Sequence, residues 1–389
     1  MITYDAIVAG AGPAGSTAAR LLAQQGASVL LLDRARFPRD KPCGGAVTVR
    51  AADEAGIDLS PVIEREVSEV RVSFRLGRPF ERSSPETLTY MTQRCRLDAY
   101  LAEQAAAAGA DFRDGVAVRD VELEDGGVIV RAGGDASRAR ALVGADGANG
   151  VVARATGLAP VGELAVALEG NVPARDGLME RWEHAIAVDL GGTPGGYGWL
   201  FPKGDHLNVG VGGWRWVGPS LRERLSALCR YLGLDESKLF GLRGHHLPMR
   251  LDGAPLVRGP ALLAGDAAGF VDPLSGEGID AAFVSGRLAA QAVASYLAGG
   301  PADLASYEAA VERELMPEIL VSHKLQRVFQ RIPRPCVAAM RRSDRFWRTL
   351  CGFVRGDTTY AELRRRLGPL WLILDAAARL SPPRREGER

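Results

Sequence analysis

A chain of 389 residues with 47% apolar and 24% charged residues has ordinary globular composition and the length for two or three domains of roughly 100 to 200 residues. Its net charge of +1 presents no strong field to a polyanion, which sets nucleic acid aside as a partner. Cys43, Cys95, Cys229, Cys336 and Cys351 show no CxxC spacing, so no metal site or disulfide scaffold is expected, and free thiols in a reducing compartment are.

The chain enters a strand-like run within its first few residues, leaving no room for an export signal, and no window reaches the roughly 18 uninterrupted apolar residues of a membrane span. A cytoplasmic protein is expected, with any membrane contact peripheral. Tyr4 to Ala9 reads as a buried parallel strand. GAGPAG follows, then a small-residue helical pattern from Pro13 that stops at Gly26, then SVLLLD, a second apolar strand closing at Asp33. Gly10, Gly12 and Gly15 thus form GxGxxG between strand and helix. The first permits the tight turn, the second the approach of a pyrophosphate, and the third close helix packing. The helix N-terminus favours an anion, and Asp33 can accept hydrogen bonds from a ribose. Dinucleotide binding follows, with FAD and NAD left open at this point.

Residues 34 to 60 read as loop plus a short helix, and 67 to 92 as alternating strands at the edge of a second sheet. Leu97 to Ala108 is an alanine-rich helix ending at Gly109. Val116 to Arg131 alternates like a hairpin, and ALVGADG brings a buried strand to a glycine turn at Asp146. Residues 160 to 215 are strand-rich, and within them NVGVGG at 208 to 213 reads as strand rather than as a nicotinamide site. Leu221 to Tyr231 is helical. ALLAGDAAG then repeats the strand-then-glycine pattern with Asp266, and the chain is mostly helical from Leu304.

GADG and AGDAAG each free backbone N–H groups and aim a carboxylate at a polyol. After Asp266, PLSGEGI and a small-residue helix supply a second helix N-terminus beside the cofactor. Glu277 at that helix start reads as a cap, without a catalytic role. Cys43 sits in a Pro-Cys-Gly-Gly turn where backbone N–H groups and Lys41 could lower a thiol pKa or position a proton. Tyr197, Trp199 and Phe201 alternate, so they share one side of a strand that lines a cavity or packs in the core.

GAGPAG, GADGANG and GDAAGFVDPLSGEGI in this order resemble the FAD-dependent monooxygenase superfamily. RFPRDKPCGG at 36 to 45, PGGYGWLFP at 194 to 202 (the pattern PxxYxWxFP) and GDTTYAEL near the C-terminus resemble one branch of it, the geranylgeranyl reductase family. The likeness spans nearly the whole chain. It departs at Gly150, where relatives commonly carry serine, and at Ala153, where a basic residue is frequent.

The resemblance implies a mixed α/β fold: a discontinuous Rossmann-like FAD-binding domain (1–60, 93–155, 255–300), an inserted antiparallel-sheet substrate domain (61–92, 156–254) and a helical C-terminal region (301–389). It implies FAD contacts from Gly10, Gly12, Pro13, Ala14, Gly15, Asp33, Arg34, Cys43, Gly44, Arg94 (in RCRLD), Asp146, Gly265, Asp266, Gly276, Gly278 and Ile279. Cys43, Tyr197 and Trp199 become the expected catalytic residues. The implied activity is reduction of carbon–carbon double bonds in a hydrophobic isoprenoid or related lipid, with NADPH or a ferredoxin-type protein as electron donor. Two other readings stand beside it: a monooxygenase or halogenase-like enzyme, and a flavoprotein passing electrons to a quinone or partner protein.

Residues 331 to 389 hold 14 arginines against 6 acidic residues. A solvated helical face is the simpler reading. Trp347, Phe353, Trp371 and Leu372 among those arginines keep contact with anionic lipid as the other.

Overall fold

Ile7, Val8 and Ala9 have no exposure to solvent, and the strand that carries them, Ile2–Ala9, lies at the centre of a parallel sheet. The computed structural model describes residues 2–158, 162–174, 177–300 and 303–368. Val29–Leu32 and then Asp111–Arg113 flank the first strand on one side, and Asp135–Gly144 and then Ala261–Leu263 on the other, all parallel. The expected hairpin, Val118–Glu124 with Gly127–Ala132, joins this sheet antiparallel to Asp135–Gly144. Because the chain moves off the first strand in one direction and returns on the other side, a crevice opens at the carboxyl ends of Ile2–Ala9 and Asp135–Gly144, where such sheets bind ligands.

The helix Pro13–Gln24 packs against Arg94–Ala107 and Ile279–Leu297. That close approach depends on Gly286, where a Cβ would lie 2.4 Å from the carbonyl oxygen of Ala14. The alanine-rich helix begins at Arg94 rather than Leu97, because Arg94 and Asp98 pair one turn apart and belong to the helix they stabilise.

Seven strands form the second sheet in the order Phe240–Arg250, Gly162–Pro173, His206–Trp214, Tyr197–Pro202, Ala185–Leu190, Glu69–Phe74 and Phe80–Ser83. One pair departs from the antiparallel expectation: Ala185–Leu190 runs parallel to Glu69–Phe74. These strands come from distant segments, so no hairpin dictates their relative sense. On one face, the helix Leu221–Leu232 packs Leu225 and Leu228 against Leu200 and Val209. Tyr197, Trp199 and Phe201, alternating with Leu200, turn to the cavity instead. A three-stranded sheet of Ala46–Thr48, Thr89–Met91 and Arg65–Val67 joins the two halves.

The C-terminal helices Ala305–Glu314, Met316–Arg331, Pro333–Arg342, Asp344–Arg355 and Tyr360–Leu367 close the structure. Trp347 is buried and donates its indole N–H to the carbonyl of Ser83 at 2.7 Å. Phe353 packs against Tyr360, the rings tilted by 48° with centroids 4.8 Å apart. Both aromatics are engaged by protein, which gives them a packing role. Trp371 and Leu372 lie outside the described residues. Among the described residues, no helix is long and apolar enough to cross a membrane.

Candidate functional site

Every residue expected at the site except Gly15 lines one cavity of about 540 Å³ at the carboxyl ends of the parallel strands. Gly10 turns there with φ of +101°, and a Cβ would sit 2.2 Å from the carbonyl oxygen of Ala145. Gly15 works from behind the cavity: its Cβ would meet the Gly10 oxygen at 1.8 Å, so glycine lets the helix lie on the strand. Gly12 differs. Its Cβ would find only the Arg39 guanidinium, at 3.7 Å, so the space above it is open, at a helix N-terminus with no side-chain cap. That cradle fits a diphosphate, which would take up the free N–H groups and the helix dipole.

Asp33 accepts the N–H groups of Ala11 and Ala35, each at 2.9 Å, and lines the cavity where a ribose would lie. Asp146 corrects the expectation of a carboxylate aimed at a polyol. Its Oδ2 folds back onto the N–H groups of Val151 and Val152 at 2.5 and 3.1 Å, capping a short helix, and its Oδ1 is buried without a partner. The same fold-back explains Gly150, where a Cβ would lie 2.1 Å from Asp146 Oδ1. Arg94 holds Asp98 through two 2.8 Å bonds, and Arg39 reaches the same carboxylate at 2.7 Å.

Lys41 also differs from expectation. It pairs with Asp266 at 2.7 Å rather than serving Cys43. Burial pushes the Asp266 carboxyl up, but Lys41 and His245 outweigh it and hold the group well below the usual range. Gly265, Gly276, Gly278 and Ile279 carry the cavity wall to the start of Ile279–Leu297.

The Cys43 turn is held from three sides. The Cys43 N–H donates to Glu169 Oε1 at 2.6 Å, the Gly45 N–H reaches Cys43 Sγ at 3.3 Å, and Lys203 donates to the carbonyls of Gly44 and, at 2.9 Å, Thr92. Burial drives Lys203 down to about 8 and Glu169 up to about 7, the latter opposed by the Cys43 N–H and by Lys203. At Gly44 a Cβ would lie 2.6 Å from the Phe201 ring, so glycine lets the turn rest on the aromatic strand. Trp199 donates to Asn208 Oδ1 at 2.8 Å, and Tyr197 donates to the carbonyl of Ser275. Gly210 in NVGVGG makes room for the indole, since a Cβ there would lie 2.1 Å from the Trp199 ring; that segment is strand, as expected.

Sequence reasoning assigned no role to Glu169, Lys203, Asp98 or Arg39. Three of them carry a signal: Asp98 closes RCRLD one helical turn after Arg94, Arg39 lies within RFPRDKPCGG, and Lys203 directly follows YGWLFP. For Glu169 nothing local distinguishes a buried partner from a surface charge.

The FAD binding domain family matches residues 3–205. The chain is 33% identical over 356 residues to the chloroplastic geranylgeranyl diphosphate reductase of Oryza sativa subsp. japonica, covering 83% of this chain and 74% of that protein. It is 33% identical over 311 residues to digeranylgeranylglycerophospholipid reductase 1 of Methanopyrus kandleri, covering 74% and 80%. A geranylgeranyl bacteriochlorophyll reductase-like structure from Thermoplasma acidophilum superposes with a TM-score of 0.80 at 25% identity, over 94% of this chain and 99% of that one.

Proposed function

The chain belongs to the geranylgeranyl reductase family of FAD-dependent oxidoreductases, and from that premise we propose that it reduces carbon–carbon double bonds of a prenyl diphosphate, a prenylated lipid or a related isoprenoid. The observation that carries this reading is the continuity of the cavity from the Gly12 turn to the Cys43 turn and to Tyr197 and Trp199. A polar cofactor cradle runs into an aromatic wall suited to a long apolar chain.

Reduced FAD, when bound, supplies the hydride. The chain's own residues would do the rest. The Gly12 turn would hold the diphosphate and Asp33 the ribose. Trp199, fixed by Asn208, and Tyr197, fixed by Ser275, would pack along the substrate and keep water out. Cys43 would position the ring or hand over a proton. Electrons would come from NADPH or a ferredoxin-type protein.

The test is anaerobic turnover of the FAD-loaded, dithionite-reduced protein with geranylgeranyl diphosphate and, in parallel, with a geranylgeranylated glycerophospholipid. A mass gain of one hydrogen pair per reduced double bond is expected. Turnover that requires dioxygen, or none at all, overturns the reading. If Cys43→Ala and Cys43→Ser both keep full turnover with FAD bound, Cys43 has neither role.

A further inference from the structure

Alkene reduction consumes a proton as well as a hydride, and that proton must come from a group inside a dry site. Glu277, in the SGEG turn between Gly276 and Gly278, lines the cavity. Its Oε1 accepts the N–H of Asp280 at 2.8 Å. The charged and titratable groups facing it come from every neighbouring element. Asp272 lies in the same loop, Asp280 in the first turn of Ile279–Leu297, and Arg50 in the helix Val49–Glu54. Tyr197 from the aromatic strand and Tyr360 from the last described helix also face it.

Arg50 is bonded to Asp280 Oδ2. Asp280 Oδ1 is buried without a partner. The nearby cation is thus bonded to Asp280 and acts on Glu277 only through space, burial raises both carboxyls, and two neighbouring carboxylates in a buried site do not both ionise. Burial and the neighbouring Asp280 hold the Glu277 carboxyl above its ordinary range, which leaves a neutral acid facing the substrate space.

We propose that Glu277 is the proton source of the site. One alkene carbon takes the hydride, with its electron pair, from the reduced flavin. The Glu277 O–H bond breaks, and its proton forms the new C–H bond at the other carbon. A solvent proton, relayed by water entering beside Arg50, whose side chain is 36% exposed, restores the acid. The inference rests on the alkene-reduction reading above and leaves Cys43 the positioning of the ring.

Glu277→Gln keeps size and the bond to Asp280 but has no acidic proton. Infrared spectroscopy of the FAD-loaded protein, without substrate, is expected to show a carboxylic-acid C=O band at neutral pH that fades on alkalinisation and is missing from the variant. Its absence from the parent protein overturns the proposal. With geranylgeranyl diphosphate, the variant is expected to bind FAD as tightly as the parent, to turn over at least tenfold more slowly, and to lose the parent's alkaline fall in rate. Parental turnover and pH profile in the variant overturn it as well. If the parent reduces no prenyl alkene while the infrared band is present, the alkene-reduction reading fails and takes the proton-donor role with it, but the neutral acid stands.

Discussion

The backbone N–H of Cys43 donates to Glu169 Oε1 at 2.6 Å, so the thiol-bearing turn hangs on a carboxyl from the strand Gly162–Pro173. Burial raises that carboxyl from its ordinary 4.5 to about 7. A folded-state pKa above the unfolded one means that the native chain binds the proton more tightly. The resulting stability is fully present below pH 4.5 and is lost as pH rises through about 7. Glu169→Gln is isosteric and its Oε1 still accepts from Cys43. In urea unfolding, the variant should match the parent below about pH 4 and exceed it by about 3 kcal/mol near pH 8.5. Equal stability at both pH values would show that Glu169 is ionised in the native state.

Much of this architecture was legible before any coordinates. The βαβ unit at Gly10 to Asp33, the hairpin after Val116 and the strand at NVGVGG all follow from short-range apolar periodicity and glycine placement, which act through neighbouring residues. The cavity's composition was legible too, because spaced motifs name residues that the fold gathers. What could not be read is which charge pairs with which. Lys41 stands beside Cys43 in sequence yet bonds Asp266, more than two hundred residues away. Asp146 turns onto its own loop. Arg39 and Arg94 share Asp98 only because a loop and a helix meet over it. Such pairings depend on long-range packing, and sequence spacing carries no record of them.

The C-terminal aromatics offer a check on packing against lipid contact. Trp347 is 8% exposed, is bonded to Ser83 and has Arg82 over its ring at 5.6 Å. Trp347→Ala should therefore cost about 3 kcal/mol in chemical unfolding and leave sedimentation with anionic vesicles at low salt unchanged from the parent. A variant of parental stability that loses vesicle binding would place this ring at a membrane instead.

The three motif glycines should separate by what their missing Cβ would touch. At Gly15 it would meet backbone at 1.8 Å, and at Gly10 at 2.2 Å with a φ of +101°; neither backbone neighbour is the end of a flexible side chain, so the strand and helix must part. Gly15→Ala should lower stability by about 3 kcal/mol or more and impair FAD retention with it. At Gly12 the nearest atom is 3.7 Å away, and φ is an ordinary −82°, so the chain itself tolerates a methyl group. The diphosphate, which must come within hydrogen-bond distance of the turn, does not. Gly12→Ala should unfold within about 0.5 kcal/mol of the parent while binding FAD at least tenfold more weakly, measured by flavin fluorescence titration. If Gly12→Ala retains parental FAD affinity, the diphosphate does not rest on this turn, and the cradle assigned to it serves only to let the chain bend.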